Sequence, residues 1–496
     1  MRSCDPSFFC FTIQRVIIIS LIGMSGCDLH NEVVTPRRAD DGEFSTTVQP
    51  IFDRQCGGAS CHGGGPRGFA GGVDLTSYGG IFRGSRFGTI VVSGSPFMSH
   101  LLQAINQYDT TLSPISSVAM PAGRDPLPES DVRKIASWIE QGARDDDGRL
   151  PFPEPRPLGK VLFTSQSVDL VGVLDLQTNL IMRYVTVGNP LPFSAPPQAP
   201  HNVQIDDQGK YYYVTLISAN VLKKFDAVSN VSLGQVNVGT SPAHVVVTAD
   251  GATAYVTNFD PAGRVYAVQT ETMQVRKVIT APPLMKSTHG ARLSHDGKYL
   301  YIGSNGNDLL HVILTTNDSV VAHIPVAADV PPIGSFSHKP YQIAVRSDDR
   351  FIYVTLNGTN QVSVIERSGE TFTLLKTLDV GIRPLQCEVT RDQRFLYVCN
   401  QGSGSVTVID AQAHTVLTTI SDVGPQPHGI DITEDSRLVY VTCENRSAPI
   451  PPHHPLIGSK DPGFVAVIDV GTQSVIKRVE VGGFAAGVSV TPGEGN

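Results

Sequence analysis

A tyrosine-centred pattern recurs along the second half of the chain and constrains the fold more than any other feature. Typical copies are Ala254-Tyr255-Val256-Thr257 and Ile352-Tyr353-Val354-Thr355. The central tyrosines are separated by 42 to 52 residues and lie at Tyr213, Tyr255, Tyr301, Tyr353, Tyr397 and Tyr440. This spacing is typical of a four-stranded β-propeller blade, a unit that buries its apolar faces against its neighbours. We therefore predict an all-β propeller over residues 160–496.

The two ends of this repeat region are incomplete in complementary ways. The first unit, residues 160–188, has three predicted strands and lacks the strand that opens the other units. Residues 486–491 resemble an opening strand with nothing after it. Pairing the two ends completes one blade and removes an open sheet edge. With this shared blade included, the repeats predict seven blades.

Composition limits the classes of function. The formal net charge is −8, and no basic patch is visible that could neutralise phosphates, so we expect no nucleic-acid partner. The 47 glycines, 35 prolines and single tryptophan favour turns over helices. No hydrolase nucleophile elbow, phosphate-binding glycine loop or nucleotide fingerprint is present. An enzymatic function would therefore rest on redox chemistry.

The N-terminus has the features of an export signal. Basic residues precede a short apolar run, residues 16–22, which is too short to span a bilayer. The sequence Met24-Ser25-Gly26-Cys27 resembles a bacterial lipobox, which implies a signal peptide over 1–26 and a lipid on Cys27. An ordinary secretory signal and an uncleaved anchor are the alternatives. In each case we expect an extracytoplasmic protein of the cell envelope, attached to the lipid membrane through Cys27 in the lipobox case.

Three segments separate this signal from the repeats. Residues 27–43 are polar and predict a flexible tether. Residues 44–148 predict a small all-α domain, whose last helix begins near Pro128 and carries an apolar stripe that includes Trp138. Residues 149–159 have proline at every second position from 151 to 157, which predicts a stiff linker. The expected architecture is multidomain, with the helical domain before the propeller.

The main chemical motif is Cys56-Gly57-Gly58-Ala59-Ser60-Cys61-His62. Two thiols that add to haem vinyl groups, followed by an imidazole that binds iron, are the chemistry of covalent haem attachment. The spacer has four residues where two are usual, and its glycines would let the longer loop close. The alternatives are a local disulfide and half of a zinc site, which would need two more ligands nearby. We predict one haem c on Cys56 and Cys61, with His62 as an iron ligand.

The second axial ligand is predicted to be Met120. It lies in a Met-Pro loop before the last helix, and a thioether ligand raises the haem potential. The rival ligands are Met98 and His100, and the alternative role for Met120 is a gap-filling core residue. The remaining cysteines of the mature chain, Cys387, Cys399 and Cys443, are expected to be buried free thiols.

Several histidines of the propeller recur at one repeat position. His201, His289 and His428 enter their blades at equivalent points, His244 is displaced by one residue, and His338 lies in a long loop. An enlarged loop adds His453 and His454 to the same face, so that up to seven histidines could gather there. Converging imidazoles can bind a metal or a haem, or relay protons. We treat His201, His289 and His428 as a candidate second site.

The alternative is that Pro-His belongs to the repeat consensus and that each ring binds a neighbouring backbone group. The other histidines of the propeller, His295, His311, His323 and His414, are expected in turns or on strand surfaces, without a function.

Two resemblances support this organisation. The order Val-x-Pro-Ile-Phe, Cys-Cys-His, Gly-Gly-Val-Asp-Leu, Met-Pro and Ile-x-x-Trp-Ile over 44–143 is similar to bacterial single-haem cytochrome c domains of exported proteins. That resemblance implies a haem bound by Cys56, Cys61, His62 and Met120. The repeats resemble the Tyr-Val-Thr-Asn propeller repeats of bacterial surface and periplasmic proteins, which implies a fold more than a function.

The sequence is consistent with three functions. The leading hypothesis is a lipid-anchored monohaem cytochrome that transfers electrons to or from a redox partner protein, with the propeller docking a partner or positioning a substrate. The alternative is an oxidoreductase with a second cofactor in the propeller, similar to nitrite reductases that join a cytochrome c domain to a propeller holding a d-type haem. Those propellers have eight blades rather than seven. The third hypothesis is a surface-binding scaffold.

Overall fold

A computed structural model describes residues 44–57, 61–64, 69–116, 119–152, 159–190, 195–330, 336–447, 449–450 and 462–492. The predicted signal peptide, the tether with Cys27, most of the linker, and the loop with His453 and His454 lie outside these residues. Residues 41–496 belong to one compact unit. Across the part of the chain that is described, no helix has the length and apolar character needed to cross a membrane.

Residues 44–148, called here the helical segment, contain short helices around a compact apolar core. The helices are α1 (Gln49–Gln55), preceded by a π-helical turn (Phe44–Val48), α2 (Tyr78–Ile81), α3 (His100–Ile105) and α4 (Glu129–Glu140). Pro128 directly precedes α4, and Glu129 and Asp131 lie in its first turn, where acidic side chains interact favourably with the helix dipole. The apolar face of α4 is buried and includes Trp138, whose Nε1 donates to the carbonyl of Arg144 at 2.9 Å.

The propeller consists of seven four-stranded antiparallel sheets among the described residues. Its strands are β1 (Lys160–Ser165), β2 (Leu170–Asp175), β3 (Leu180–Thr186), β4 (Pro200–Ile205), β5 (Tyr211–Leu216), β6 (Val221–Asp226), β7 (Ser232–Asn237), β8 (Pro242–Val247), β9 (Thr253–Asn258), β10 (Val265–Gln269), β11 (Gln274–Ile279), β12 (Thr288–Leu293), β13 (Tyr299–Ser304), β14 (Leu309–Leu314), β15 (Ser319–Pro325), β16 (Pro340–Val345), β17 (Phe351–Leu356), β18 (Gln361–Ser368), β19 (Thr371–Asp379), β20 (Pro384–Val389), β21 (Phe395–Asn400), β22 (Ser405–Asp410), β23 (Thr415–Ile420), β24 (Pro427–Ile432), β25 (Leu438–Cys443), β26 (Gly463–Asp469), β27 (Ser474–Val481) and β28 (Ala485–Val490).

The ring closes as the sequence predicts. Strand β28 pairs antiparallel with β1, with Val490 opposite Val161 and Val488 opposite Phe163. The last blade is therefore ordered β28-β1-β2-β3, with one strand from the C-terminal end of the repeats and three from their beginning. This pairing satisfies two strand edges that would otherwise be open.

The repeated tyrosine and threonine have separate structural roles. Each repeat tyrosine is fully buried, which supplies the large apolar area that packs one blade on the next. The threonine two positions later joins neighbouring blades. Thr257 accepts the backbone N–H of His244 at 3.1 Å and donates its hydroxyl to the carbonyl of His289 at 2.5 Å. Thr215, Thr355 and Thr442 make equivalent pairs of bonds.

The helical segment packs directly on the propeller. The Thr89 hydroxyl accepts the backbone N–H of Ile181 in β3 at 2.6 Å, and the carbonyl of Phe87 accepts the N–H of Glu480 in β27 at 3.0 Å. Val92 and Met98 are buried in an apolar cluster with propeller residues. The outer strands of two blades thus gain partners from residues 87–98.

The prediction of free thiols is confirmed for the three propeller cysteines. Cys387, Cys399 and Cys443 are all buried and unbridged. Burial raises the pKa of the Cys387 thiol to about 12, so this group behaves as a small apolar side chain near neutral pH.

Candidate functional site

The two cysteines and the histidine of the haem motif lie together at the edge of the helical core. Cys56 caps the C-terminal end of α1, and its carbonyl accepts the backbone N–H of His62 at 3.3 Å, so the two ends of the motif lie next to each other. Neither thiol is part of a disulfide. Burial, and secondarily the charge of Cys61, raises the pKa of the Cys56 thiol to about 11.

The His62 ring is oriented by a backbone group. Its Nδ1 lies 3.1 Å from the carbonyl oxygen of Val73, and a carbonyl can only accept a hydrogen bond. The proton therefore sits on Nδ1 and the lone pair on Nε2. This is the arrangement by which proteins orient imidazole ligands of metals. The donor set of two unbridged cysteines and one oriented imidazole fits a covalent haem.

Met120 and Met98 occupy different environments. Met120 is half-buried beside the helical core, and its N–H donates to the carbonyl of Ala104 at 2.8 Å. Met98 is only 2% exposed and packs among propeller residues. His100 is the first residue of α3. Met98 therefore has a packing role, and Met120 remains the predicted iron ligand.

The alternatives for this motif receive no support from the described residues. Cys56 and Cys61 form no disulfide in the structure. A cluster of three or more metal-binding side chains occurs once in the described part of the chain, and it lies in the propeller.

That cluster consists of His201, His244 and His289. Their ligand nitrogens all lie within 4.8 Å of one another, and the three side chains are 7%, 3% and 3% exposed. Their ring centroids are 4.8 to 5.7 Å apart. His428 lies next to them, with its ring centroid 5.3 Å from that of His201. The structure thus brings the three predicted histidines close together and adds His244.

The innermost strands place these rings at one mouth of the channel. The residue before each strand has a left-handed backbone, as at Ala199, Ser287 and Gln426, which turns the chain toward the centre. A register shift follows within the first residues of β4, β8, β12 and β24. Because this bulge changes the alternation of side chains, His244 joins the cluster from a position one residue later than the others.

Each of the four rings retains a buried nitrogen without a hydrogen-bond partner. These atoms are Nε2 of His201 and His244, Nδ1 of His289, and both ring nitrogens of His428. The opposite nitrogens of two rings are held by amides: Nδ1 of His201 lies 2.8 Å from Nε2 of Gln166, and Nδ1 of His244 lies 3.3 Å from Nε2 of Gln342. His289 bonds to the backbone of Tyr341.

Burial makes these imidazoles weak bases. It lowers the pKa of His201 and His289 well below the usual value and that of His244 to about 3, with a smaller contribution from neighbouring positive charges. The three rings are consequently neutral at pH 7. Neutral imidazole is the form that binds a metal ion.

Three acidic or aromatic side chains around the cluster, Glu444, Tyr341 and Phe259, were not predicted from the sequence. Oε1 of Glu444 lies 2.8 Å from Nδ1 of His428. The ring of Tyr341 packs against His289 with centroids 3.8 Å apart, and that of Phe259 lies at 5.2 Å. Tyr341 occupies the same strand position as the three predicted histidines, which is the sequence signal that could have identified it.

A cavity of about 660 Å³ follows the propeller channel from this cluster. His244, Gln342 and Asn202 line it together with the charged side chains of the innermost strands. These charged residues are Asp206, Asp207, Arg292, Glu388, Arg391, Asp431 and Glu434. The histidine cluster is therefore in contact with a space large enough for a small molecule.

The other histidines lie apart from the cluster. His338 pairs with Asp329, its Nε2 3.0 Å from the carboxylate, and its Nδ1 is 3.1 Å from the Thr359 hydroxyl. The expectation that His311 lies in a turn or on a strand surface is wrong: it is fully buried, and its Nδ1 lies 2.7 Å from Nδ1 of His323. These two residues are directly opposite each other on β14 and β15, a pairing that single-strand alternation does not reveal.

Comparison with solved structures gives similar folds at low sequence identity. A functionally unknown protein from Desulfotomaculum acetoxidans aligns with 68% of this chain and 100% of its own, at 14% identity and a TM-score of 0.51. The dihydro-haem d1 dehydrogenase NirN, in complex with DHE, aligns with 90% and 98% at 14% identity and a TM-score of 0.48. The hydrazine synthase of Kuenenia stuttgartiensis aligns with 60% and 92% at 17% identity and 0.46.

Sequence comparison identifies the family of the propeller. No curated protein sequence matches the chain. A family model described as "Lactonase, 7-bladed beta-propeller" matches residues 166–380 and 326–430, which together extend over more than half of the chain. This match agrees with the seven sheets and their closure by β28 and β1. The chain therefore belongs to this family of seven-bladed β-propellers.

Proposed function

We propose that this protein is an extracytoplasmic oxidoreductase with two centres, a covalent haem c in the helical segment and a second centre at the histidines of the propeller channel. The observation that carries the proposal is the set of four buried imidazoles, each with a ring nitrogen that lacks a hydrogen-bond partner. Leaving such an atom unpaired costs about 1–3 kcal/mol. Four such rings in one cluster, one of which lines a cavity, are best explained by a group that binds them.

The helical segment supports the haem part of the proposal. Cys56 and Cys61 would form the thioether bonds, and His62 would bind iron through Nε2, since its Nδ1 donates to Val73. Met120 would complete the coordination. When bound, haem c supplies a one-electron couple of adjustable potential. The protein contributes the orientation of the imidazole and the apolar core that excludes water.

The channel supports the catalytic part. His244 lines the cavity, so a small substrate within it would contact the second centre. The helical segment packs on the same propeller through Thr89 and Phe87. This fixed attachment would keep the haem at a constant distance from the channel, as intramolecular electron transfer requires.

The location and partners belong to the same proposal. A signal peptide over 1–26 and a lipid on Cys27 would hold the protein at a membrane outside the cytoplasm. Electrons would then be exchanged with a redox partner protein. Replacing Cys27→Ser should move the protein from the membrane fraction to the soluble fraction. Retention in the membrane fraction would indicate an uncleaved anchor.

Cofactor stoichiometry tests the proposal. The full chain, produced with haem maturation, should retain haem stain after denaturing electrophoresis and contain one further centre in metal or pigment analysis. The double variant Cys56→Ser, Cys61→Ser should lose the stain, whereas Cys387→Ser, a buried thiol of the propeller, should keep it. Absence of covalent haem from the wild type would overturn the haem assignment.

A second candidate function is electron transfer without a catalytic centre, the leading hypothesis from the sequence. The oriented His62 ring and the two neighbouring, unbridged cysteines favour it independently of the channel. One haem and no other centre in the purified protein would select this function, and the propeller would then dock the redox partner.

A further inference from the structure

Resting on the proposed second centre, we propose that this centre is a single copper ion bound by His201, His244 and His289, and not a second tetrapyrrole. An oxidoreductase with two centres requires a redox-active group at these histidines. The geometry of the rings, their surroundings and their donor atoms together specify which kind of group fits.

The spacing of the three rings suits one small ion. An imidazole nitrogen binds a first-row metal at about 2.0–2.1 Å, so three such ligands around one ion lie about 3.5 Å apart. The observed nitrogens lie within 4.8 Å of one another, and small side-chain rotations close the difference. The backbones are already fixed relative to each other, because Thr257 bonds to both His244 and His289.

The surroundings leave no room for a macrocycle between these rings. The ring centroids are at most 5.7 Å apart, and a tetrapyrrole is wider than that gap. Tyr341 and Phe259 already pack against His289. A tetrapyrrole bound by one of these histidines would displace the others and these aromatic rings.

The donor atoms favour copper. All three are neutral imidazole nitrogens, which suit zinc, copper, iron and nickel, and copper binds such sites most tightly among the divalent ions. Zinc has no redox chemistry and could not exchange electrons with a haem. Because the three ligands are neutral and buried, the site favours the lower charge of Cu⁺ over Cu²⁺.

Two glutamine side chains contact the ligand rings and influence their tautomer. To bind a metal through Nε2, His201 and His244 must carry their proton on Nδ1 and donate it to an oxygen. In the structure Gln166 and Gln342 contact these Nδ1 atoms through their amide nitrogens, which donate, so the wild-type contacts favour the opposite tautomer. Oε1 of Gln342 also accepts the N–H of Ile343 at 3.1 Å. A carboxylate at position 342 could accept both bonds and should hold His244 more firmly in the metal-binding tautomer.

The channel provides access for the ion. His244 and Gln342 line the cavity, and the same cavity carries five carboxylates against two arginine side chains. Its surface is therefore more negative than positive, which favours entry of a cation.

The test is titration of Cu⁺ and, separately, Zn²⁺ into full-length protein, with haem iron counted independently. Wild type should bind one Cu⁺ per chain beyond its haem iron, and the double variant His244→Ala, His289→Ala should bind none. His338→Ala is the matched control, because this histidine pairs with Asp329 and lies outside the cluster. It should bind copper as the wild type does.

A second pair of variants, at Gln342, tests the copper site without removing a metal ligand. Gln342→Glu should strengthen Cu⁺ binding by about 10- to 100-fold, the usual effect of an orienting partner, because it supplies an oxygen acceptor for Nδ1–H of His244; Gln342→Leu, which only removes the opposing amide donor, should strengthen it less. Histidines with a merely structural role would show neither change. After oxidation to Cu²⁺, the electron paramagnetic resonance spectrum of the site should show hyperfine coupling to imidazole nitrogens.

The outcomes separate this inference from the proposed function. A redox-active copper supports both. Preferential binding of zinc would overturn the copper assignment and the oxidoreductase together. A non-covalent tetrapyrrole extracted from the wild type would overturn the copper site but leave the oxidoreductase standing. Binding of no metal by the wild type, with both glutamine variants silent, would overturn the site.

Discussion

Nδ1 of His428 lies 2.8 Å from Oε1 of Glu444, and their side chains are 3% and 2% exposed. The same carboxylate oxygen accepts a hydrogen bond from Gln401 at 2.8 Å. His428 borders the three-histidine cluster, and Glu444 follows β25 in the same blade. The buried Glu444 carboxylate thus lies beside His428 at the channel mouth. It also bonds to Gln401, which follows β21 in the neighbouring blade.

We expect Glu444→Ala to destabilise the propeller strongly. It removes the acceptor of the Gln401 amide and the carboxylate beside Nδ1 of His428, and leaving a buried polar group without its partner costs about 1–3 kcal/mol. Glu444→Gln keeps an acceptor oxygen and should be milder. Urea unfolding measures both. Glu370→Ala, at an exposed ion pair with Lys298, is the control and should leave the midpoint unchanged. Equal midpoints for Glu444→Ala and wild type would contradict the assigned role.

Met120→Ala should abolish the thioether-to-iron absorption band at the red end of the oxidised spectrum. The reason is its half-buried position beside the helical core, in the loop before α4. Met98→Leu is the matched control, because Met98 packs against propeller residues and leucine preserves that packing. If Met98→Leu removed the band and Met120→Ala preserved it, the ligand assignment would be reversed.

Much of the fold was predictable because its main determinants are local and repeated. The tyrosine spacing predicted the blades, and the incomplete end units predicted the pairing of β28 with β1. The packing of Met98 on the propeller was not predictable. That contact joins residues distant in the chain, and neither partner carries a periodic signal.

The candidate site was predictable only where residues share a repeat position. His201, His289 and His428 share one, and they do lie close together. His244 does not, because a β-bulge compensates for its offset of one residue. Glu444 lies beyond the end of β25, and its contact with His428 depends on how the chain leaves that strand. The burial of His311 depends on cross-strand register with His323.

Gly88→Ala should loosen the attachment of the helical segment to the propeller. Gly88 has φ +113°, and an added Cβ would lie 2.8 Å from Cγ1 of Val479 in β27. Valine is stiff at χ1 and cannot easily move away. Hydrogen exchange should therefore quicken at the backbone amides of Ile181 and Glu480, which bond to Thr89 and Phe87.

Gly94→Ala separates this steric effect from backbone strain. Gly94 also has a positive φ, +74°, but an added Cβ would meet nothing within 4 Å. In the Gly94→Ala variant, hydrogen exchange at the backbone amides of Ile181 and Glu480 should match that of the wild type. Equal exchange in both variants would show that Gly88 does not hold the interface.

The last prediction concerns acid stability and the buried pair His311 and His323. Burial, and then the charge of His323, lowers the pKa of His311 to about 3. In the unfolded chain its pKa is about 6.5. Between these values the unfolded state binds a proton that the folded state excludes, so the free energy of unfolding falls as pH falls. One such group contributes about 1.4 kcal/mol per pH unit over this window.

His311→Gln removes this titrating group, so its stability should fall less steeply between pH 6.5 and pH 3 than that of the wild type, by about 1.4 kcal/mol per pH unit. The measurement is urea unfolding at a series of pH values. Val312→Ala is the control, because Val312 is also fully buried in β14 but does not titrate. It should lower stability by a similar amount at every pH, giving a parallel curve. A His311→Gln curve parallel to the wild type would show that His311 takes up its proton in the folded protein as readily as in the unfolded chain.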